Sequence, residues 1–446
     1  MLRYPALFLS VFGAVFVVAV AASVGSLFQS SAANEAVHDQ AAAVSPWAAG
    51  LTVTTTGPVG GRLPRISPFP VFTARRLFED RDDLLRHATR DVLGLGDGVV
   101  TILATANPLT AEGGPGPGIV VRPTFRTDAL AHVQQLRSVA GPGVWLTEPV
   151  AKALNVEPGD MVTLTSPAKE RSASIRVVGV YRDLAASPLP SYWVSLTSSI
   201  AQLTPDSPPP PSLMLATDLD TMRRFEAALR DVATFKWEFP LQSRGLTIER
   251  ARSLSFALQG LQAKIPLPGD IEFGTYFRGA LASSLFPNIL NQAESVSNSL
   301  GPPIGAIALA GLLTALLGLA VVGAYWAARR RIELRQLSAR GASLAGSGVR
   351  AMIEAALPAT LAVLAGVLVS APLVAALGPT TLISEPARTA ATQDAIRAAA
   401  VGILLMGIVV LIAARREARP ASGRFRQVAA RLPWEVVLLA VAGAAF

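Results

Sequence analysis

The sequence predicts an integral membrane protein: an α-helical bundle of four transmembrane spans plus the start of a fifth, with a large α+β domain between spans 1 and 2. Three observations predict this fold class. Of the 446 residues, 51% are hydrophobic and only 16% are charged, whereas soluble chains carry roughly 25% charged residues. Uncharged apolar segments are long enough to cross a bilayer. The excess of arginine lies directly beside these segments.

The first apolar segment, Pro5 to Phe28, contains no charged residue. At ~1.5 Å per residue it reaches about 36 Å, more than the ~30 Å hydrocarbon core of a bilayer. A cleaved signal peptide is the alternative, because Arg3 precedes the segment and small residues at 21–26 resemble a cleavage site. Signal cores run about 7 to 15 residues, so the length favours a retained anchor.

The other apolar segments complete the predicted order. Span 1 occupies 5–28, an extracytoplasmic domain 29–302, span 2 303–328, a cytoplasmic coupling loop 329–350 and span 3 351–377. An extracytoplasmic loop at 378–397, span 4 at 398–414, a cytoplasmic basic linker at 415–432 and the start of a fifth span at 433–446 follow. Pro358 and Pro372 predict a kink in span 3.

The distribution of charge predicts the orientation. Residues 29–302 contain 24 Lys and Arg against 25 Asp and Glu, whereas the rest of the chain contains 15 against 6. The excess arginines cluster at 329–350 and 415–431, so alternation of the spans places every basic cluster on the cytoplasmic side. These clusters adjoin apolar helices and lack interleaved aromatic residues, which argues against nucleic acid as a partner.

Several kinds of chemistry are excluded or disfavoured by composition. The chain has no cysteine, and its three histidines, His38, His87 and His132, are scattered. Disulfides, thiol catalysis and cysteine-ligated metals are therefore excluded, and a histidine metal site is not expected. No phosphate-binding loop with its lysine and no nucleophile elbow occurs. We expect no catalytic, metal-binding or cofactor-binding residue in this chain, and no ATPase activity of its own.

The segment between spans 1 and 2 has mixed periodicity and predicts an α+β domain. Helical spacing of apolar residues occurs in Ala74–Leu93, Thr127–Ser138, Leu219–Val232 and Thr247–Ala263. Alternation predicts strands at Gly98–Ala104, Gly118–Arg122, Met161–Ser166 and Ser174–Tyr181.

One stretch of this domain predicts a compact local unit. Thr147 precedes a short helix at Glu148–Leu154 and is expected to cap it. A turn containing Gly159 and Asp160 follows, and then two strands. We expect Gly159 to supply a positive φ and Asp160 to bond the turn backbone rather than a metal ion.

Glu354 lies close to the start of span 3, where an ionisable side chain is a functional candidate. Arg350 stands four residues before it, a spacing that allows an ion pair on one helix face. We expect these two residues to form an ion pair at the membrane interface.

The arrangement resembles the FtsX-like, MacB-like permeases of ABC transporters. The order of spans carries the likeness together with two sequence stretches: "ALNVEPGD" through "VVGVYRD" in the outside domain, and "ARRRIELRQLSARGASL" continuing to "EAALPA" after span 2. Ser338-Ala339-Arg340 departs from the alanine–leucine usual before the glycine, and Ser347-Gly348 from the usual polar helix formers.

The resemblance implies a permease or mechanotransmission subunit in the plasma membrane, not an enzyme, whose inside loop contacts a separate ATPase subunit. The implied coupling segment runs from Glu333 to Val349, and Ile332 adds an apolar side chain beside it. The site residues that the resemblance implies are Arg331, Glu333, Leu334, Leu337, Gly341 and Leu344. The start of a fifth span implies the first half of a two-module permease, which works with a second half or a second copy.

Alternatives remain open. The segment 333–349 could lie on anionic lipid headgroups instead of an ATPase. The chain as a whole could be a membrane-anchored receptor, in which the outside domain captures a ligand without transport. A membrane-bound hydrolase is disfavoured by the missing nucleophile motifs.

Overall fold

The computed structural model describes residues 5–59, 73–104, 109–113, 118–166, 171–186, 188–202, 204–206, 208–229, 232–265, 278–339 and 343–418. The chain forms two compact units. The helical unit takes residues 1–38, 247–249 and those from 291 on, and the β-rich unit takes 39–246 and 250–290. The predicted start of a fifth span at 433–446 lies outside the described residues.

The helices, in chain order, are α1 (Pro5–Ala42), α2 (Pro46–Ala49), α3 (Ala74–Arg90), α4 (Glu148–Leu154), α5 (Thr197–Ile200), α6 (Leu219–Leu229), α7 (Ile248–Lys264), α8 (Phe286–Arg329), α9 (Arg331–Ala339), α10 (Leu344–Leu377) and α11 (Glu385–Ala418). The strands are β1 (Leu51–Pro58), β2 (Val99–Ala104), β3 (Leu109–Glu112), β4 (Ile119–Arg126), β5 (Gln135–Ser138), β6 (Val144–Thr147), β7 (Met161–Ser166), β8 (Arg171–Tyr181), β9 (Ser212–Ala216), β10 (Val232–Phe239) and β11 (Arg278–Ser283).

In the described part of the chain, α1, α8, α10 and α11 are long and apolar enough to cross a membrane. Each helix is longer than its predicted span. α1 continues to Ala42, and α8 begins at Phe286 instead of 303. Apolar composition marks the part of a helix that suits lipid, and backbone hydrogen bonds continue the helix beyond that part.

The predicted loop at 378–397 is mostly helical, since only 378–384 separates α10 from α11. The polar start of α11 is rich in alanine, and two pairs at helical spacing support it. Arg388 Nη1 lies 3.2 Å from Glu385 Oε1, and Arg397 Nη1 lies 3.6 Å from Asp394 Oδ1. Charged residues were therefore a poor guide to where this helix begins.

Small residues allow the long helices to approach closely. A Cβ atom added to Gly366 of α10 would lie 2.8 Å from Ala19 Cβ of α1, and one added to Gly348 would lie 2.9 Å from the carbonyl oxygen of Gly407. Gly25 of α1 faces Ala308 of α8 in the same way. The helical unit thus depends on glycine at its tightest contacts.

The β-rich unit is built on an eleven-stranded mixed sheet. Strands β4, β3, β7, β8, β6 and β9 pair in that order, and β9 pairs again with β4, so that six strands close into a ring. From β4 the sheet continues through β2, β10 and β1 to β11. Ring closure removes the exposed strand edges that an open sheet would leave.

The first and last strands of this unit are neighbours. β1 follows α1 and β11 precedes α8, and the two pair antiparallel with Thr52 opposite Ser283. The two ends of the inserted domain therefore lie side by side at one end of the same ladder.

One predicted helix of this unit is wrong, whereas most of the other predicted elements are present. The segment Thr127–Ser138 is not a helix: Asp128 adopts a φ of +58°, a short 3-10 turn follows, and Gln135–Ser138 pairs with β8. Tertiary pairing has overridden the helical spacing there. Helices α3, α6 and α7 and strands β2, β4, β7 and β8 lie where the pattern predicted them.

Candidate functional site

The basic segment after α8 continues the helix almost without interruption. The N–H of Arg330 donates to the Trp326 carbonyl at 3.2 Å, and the N–H of Leu334 donates to the Arg330 carbonyl at 2.9 Å. These bonds have the spacing of an α-helix and bridge the junction between α8 and α9. The helical hydrogen bonding of α8 therefore extends into α9.

A group of three charged side chains, which we call the Arg330 clamp, ties this junction to α10. Arg330 Nη1 lies 2.7 Å from Glu354 Oε2, and Arg350 Nε lies 3.0 Å from Glu354 Oε1. The Arg330 guanidinium also lies 4.9 Å from the ring centre of Trp326. Arg330 and Glu354 side chains are 8% and 19% exposed, so solvent screens their attraction less than it does for a surface pair.

The expected ion pair between Arg350 and Glu354 is formed, and Arg330 is an additional partner that sequence reasoning missed. Spacing along one helix identified Arg350. Arg330 lies at the junction between α8 and α9, so only the packing of this junction against α10 brings it to Glu354. That the cluster lies at a membrane interface remains a prediction.

The structure places Leu334, one of the predicted coupling residues, inside the helical unit. Its side chain is buried in the core of the helical unit with Trp326, Ala351 and Ala355. The helical period places Leu334 on the same face as Arg330 and Trp326, four and eight residues earlier, and that face packs inward. Leu334 therefore supports α9 from within, and its part in coupling stays a prediction.

The rest of the described surface of α9 is exposed, and we call it the exposed face. Arg331, Glu333 and Arg335 are exposed and flank Leu334, whereas Ile332, on the side of the helix opposite Leu334, is 73% exposed. This face combines both signs of charge with one large apolar side chain, Ile332.

The remaining predicted coupling residues are Leu337, Gly341 and Leu344. Gly341 lies outside the described residues, and the side chains of Leu337 and Leu344 are not among those described. The backbone around them shows that the helix of span 3 begins at Leu344 instead of 351, with Ser343 as its cap. Ser343 Oγ accepts the N–H of Gly346 at 3.1 Å, the usual bond of an N-cap serine.

The predicted turn of the β-rich unit has the expected geometry. Gly159 has a φ of +119°, and Asp160 Oδ2 accepts the Glu157 N–H at 2.8 Å. The turn is further tied to Val177 of β8 by two backbone bonds of 2.8 and 2.9 Å. No group of three or more potential metal ligands occurs among the described residues, and the Asp160 carboxylate serves the turn backbone.

Thr147 precedes α4 as predicted but makes no capping bond. It is also the last residue of β6, where its side chain is buried. Pro149 follows within the first turn of α4 and has no N–H to donate, which removes one of the usual partners of a capping hydroxyl.

The β-rich unit contains a buried ion network that the sequence analysis did not identify. Arg126 Nη1 lies 2.5 Å from Glu238 Oε2, and Lys236 Nζ lies 2.8 Å from Glu238 Oε1. Burial alone would raise the pKa of Glu238, but the attraction of Arg126 and Lys236 outweighs it and holds the pKa below its usual value. The available signal was two opposite charges, at 236 and 238, in the alternating aromatic strand β10.

No protein-family model matches this sequence, and no curated protein matches it. One similar solved structure is a domain assigned to a permease protein of Porphyromonas gingivalis, with 13% identity, a TM-score of 0.27, and coverage of 54% of this chain and 93% of that domain. A heavy metal efflux pump is also similar, with 14% identity, a TM-score of 0.20, and coverage of 82% of this chain and 35% of the pump. At TM-scores this low, neither likeness carries an inference about this chain.

Proposed function

We propose that this chain is the permease or mechanotransmission subunit of an ABC transporter. A separate ATPase subunit docks on α9, and its ATP-driven movement is passed through the spans to the β-rich unit. The output is export or extraction of an amphiphilic substrate, or control of an effector in the cell envelope. The chain itself binds no cofactor, acts with a second permease half or a second copy, and holds its β-rich unit on the outer side of the plasma membrane.

The observation that carries this proposal is that α9 has an exposed face and is also bonded firmly to the neighbouring long helices. Ile332 and its charged neighbours are accessible, whereas Leu334 is buried beneath them. Helical hydrogen bonds join α9 to α8, and the Arg330 clamp joins the same point to α10. A force applied to the exposed face therefore reaches two long apolar helices at once.

The sequence resemblance supports the identity of the partner. The segment that resembles the post-span signature of FtsX-like and MacB-like permeases is the one that forms α9 and the start of α10. In that family the corresponding loop contacts the ATPase. Ser338 and Ala339, the first two residues of the departure, are the last two of α9, and Arg340 lies outside the described residues.

The docking step is tested by placing a charge on the exposed apolar residue. We expect Ile332→Asp to reduce co-purification with an ATPase encoded in the same gene neighbourhood by about tenfold, as the loss of a central apolar contact at an interface implies. The matched control is Leu93→Asp, because Leu93 is 92% exposed in the β-rich unit and lies outside α9. Unchanged association of the Ile332 variant would contradict the proposed docking site.

The lipid alternative predicts a different result. If α9 only rests on anionic headgroups, Arg331→Gln with Arg335→Gln would release the segment from vesicles containing phosphatidylserine, and Ile332→Asp would leave ATPase association intact. If α9 docks an ATPase, the Ile332 variant loses the partner even in uncharged detergent.

The clamp separates docking from coupling. Glu354→Gln leaves the exposed face of α9 unchanged but removes the negative charge that holds Arg330 and Arg350. We expect the ATPase still to bind this variant, while binding of the subunit no longer alters its ATP hydrolysis rate. An unaltered effect on hydrolysis would show that the clamp is not part of the coupling path.

A further inference from the structure

Three polar side chains on α1 hold the loop that joins α10 to α11. Ser30, Ser31 and Asn34 lie on one face of the helix, and all three are buried. We call them the polar clasp. Because they lie on neighbouring turns of α1, they meet alternate residues of the segment Thr380–Ser384, namely Thr380, Leu382 and Ser384.

The polar clasp forms hydrogen bonds with both the N–H and the carbonyl groups of the loop backbone. Ser31 Oγ donates to the Thr380 carbonyl at 2.8 Å and accepts the Thr380 N–H at 3.2 Å. Ser30 Oγ lies 3.2 Å from Ser384 Oγ and accepts the Ser384 N–H at 3.3 Å. The loop is thus fixed to α1 at both of its ends.

Asn34 differs from the two serines because its amide serves a second segment. Its Nδ2 donates to the Leu382 carbonyl at 2.8 Å, and its Oδ1 accepts the N–H of Ile248 at 2.8 Å. Ile248 is the first residue of α7, and its N–H has no partner within the helix. Asn34, Leu382 and Ile248 all belong to the helical unit, but from Arg250 onward α7 belongs to the β-rich unit.

We infer that Asn34 is a positioning residue that passes displacement of the α10–α11 loop to the start of α7. This inference rests on the proposed function, in which movement of the spans must reach the β-rich unit. The amide uses its donor on the loop and its acceptor on α7 simultaneously. Because an unpaired polar group is costly at a buried site, neither segment moves away from Asn34 independently of the other.

Serine at position 34 would offer a single oxygen, and aspartate in its ionised form would keep the acceptor but lose the donor. The two hydrogen bonds of the Asn34 side chain can therefore be distinguished by substitution. Asn34→Ala removes both bonds, whereas Asn34→Asp keeps the bond to Ile248 and breaks the bond to Leu382.

The inference is tested by deuterium exchange of the full chain in lipid nanodiscs, read at 246–250 and at 378–384. We expect Asn34→Ala to speed exchange of the Ile248 amide about fivefold, as the loss of one neutral hydrogen bond implies. Ser31→Ala loosens the loop without touching Ile248, and we expect it to speed exchange at Ile248 about twofold. In the Asn34→Ala background, Ser31→Ala should add nothing at Ile248, as a double-mutant cycle between coupled residues requires.

Two further variants keep the test decisive. Ser10→Ala removes a hydroxyl on the same helix that bonds only the local Leu7 carbonyl, and it should change neither region. If Asn34→Ala does not fold, Asn34→Asp replaces it: Ile248 should stay protected, and Ser31→Ala should no longer affect it. If Ser31→Ala speeds the loop but leaves Ile248 unchanged in the natural background, Asn34 is only a local cap and the inference is overturned.

The same measurement separates this inference from the proposed function. With the ATPase bound, nucleotide should change exchange in the loop and at Ile248 together, and Asn34→Ala should confine the change to the loop. If no ATPase binds while the double-mutant cycle still shows coupling, the proposed function fails and the inference about Asn34 stands. If the ATPase binds and the cycle shows no coupling, the inference about Asn34 fails and the proposed function stands.

Discussion

The buried ion network of the β-rich unit makes a strong prediction for the variant Arg126→Met. Both Arg126 and Glu238 side chains are 0% exposed. The Arg126 guanidinium also donates to Thr101 Oγ1 at 2.5 Å and to the Tyr192 carbonyl at 2.7 Å, and it lies 4.3 Å from the centre of the Tyr192 ring. Methionine fills a similar volume but provides none of these bonds.

The cost comes mainly from what the substitution leaves behind. Without Arg126, Lys236 is the one cationic neighbour of Glu238 left among the described residues, and the Tyr192 carbonyl loses a buried donor. Removing one partner of a buried ion pair costs about 3 to 5 kcal/mol. For a unit of this size, each kcal/mol lowers the melting temperature by about 2 to 4 °C, so we expect a decrease of roughly 6 to 20 °C.

The assay is thermal unfolding of the full chain in detergent, followed by tryptophan fluorescence, because Trp193 and Trp237 are buried in the β-rich unit. The double variant Arg126→Met with Glu238→Leu removes both charges and should recover much of the lost stability. A decrease of less than 2 °C for Arg126→Met, or a double variant that is less stable than either single one, would refute the reasoning.

Three further predictions concern pH and glycine packing. Because the pKa of Glu238 is depressed, its contribution to stability is complete above the unfolded carboxyl pKa of about 4.3 and is lost as pH falls through the lower folded value. Glu238→Gln should therefore reduce the dependence of the melting temperature on pH between pH 5 and pH 3. An unchanged dependence would contradict this. Gly366→Val should destabilise the helical unit by about 1 to 3 kcal/mol, whereas Gly311→Val, with open space around it, should not; equal effects in detergent unfolding would argue against tight packing at Gly366. Gly159→Val should cost about 1 to 3 kcal/mol from its positive φ alone, measured by urea unfolding against Gly260→Ala; a neutral result would mean that the turn relaxes.

The sequence predicted the long apolar helices because absence of charge over more than twenty residues has few other physical explanations. It did not predict their ends. The polar part of α1 beyond Phe28 and the start of α8 before Pro302 carry no lipid signal, and the helix continues there through backbone bonds and packing. In the β-rich unit, Thr127–Ser138 shows the opposite failure, since a helical spacing of apolar residues was overridden by pairing with β8.

The candidate site was predictable only along single helices. Arg350 and Glu354 are four residues apart, so their ion pair follows from helix geometry. The contacts of Arg330 with Glu354 and of Asn34 with Leu382 and Ile248 join residues far apart in the chain, and no local pattern marks them. The sequence showed that Leu334 and Ile332 are apolar but not which of them faces the core.

The pairing of β1 with β11 has a mechanical consequence for the inserted domain. Thr52 and Ser283 are opposite each other, and the chain enters the domain just before one and leaves it just after the other. Pulling these two ends apart would break the hydrogen bonds between β1 and β11 one after another, as in unzipping, rather than shear all of them at once. The domain should therefore resist forces that move its two ends in step, and open at its base under modest forces that draw them apart.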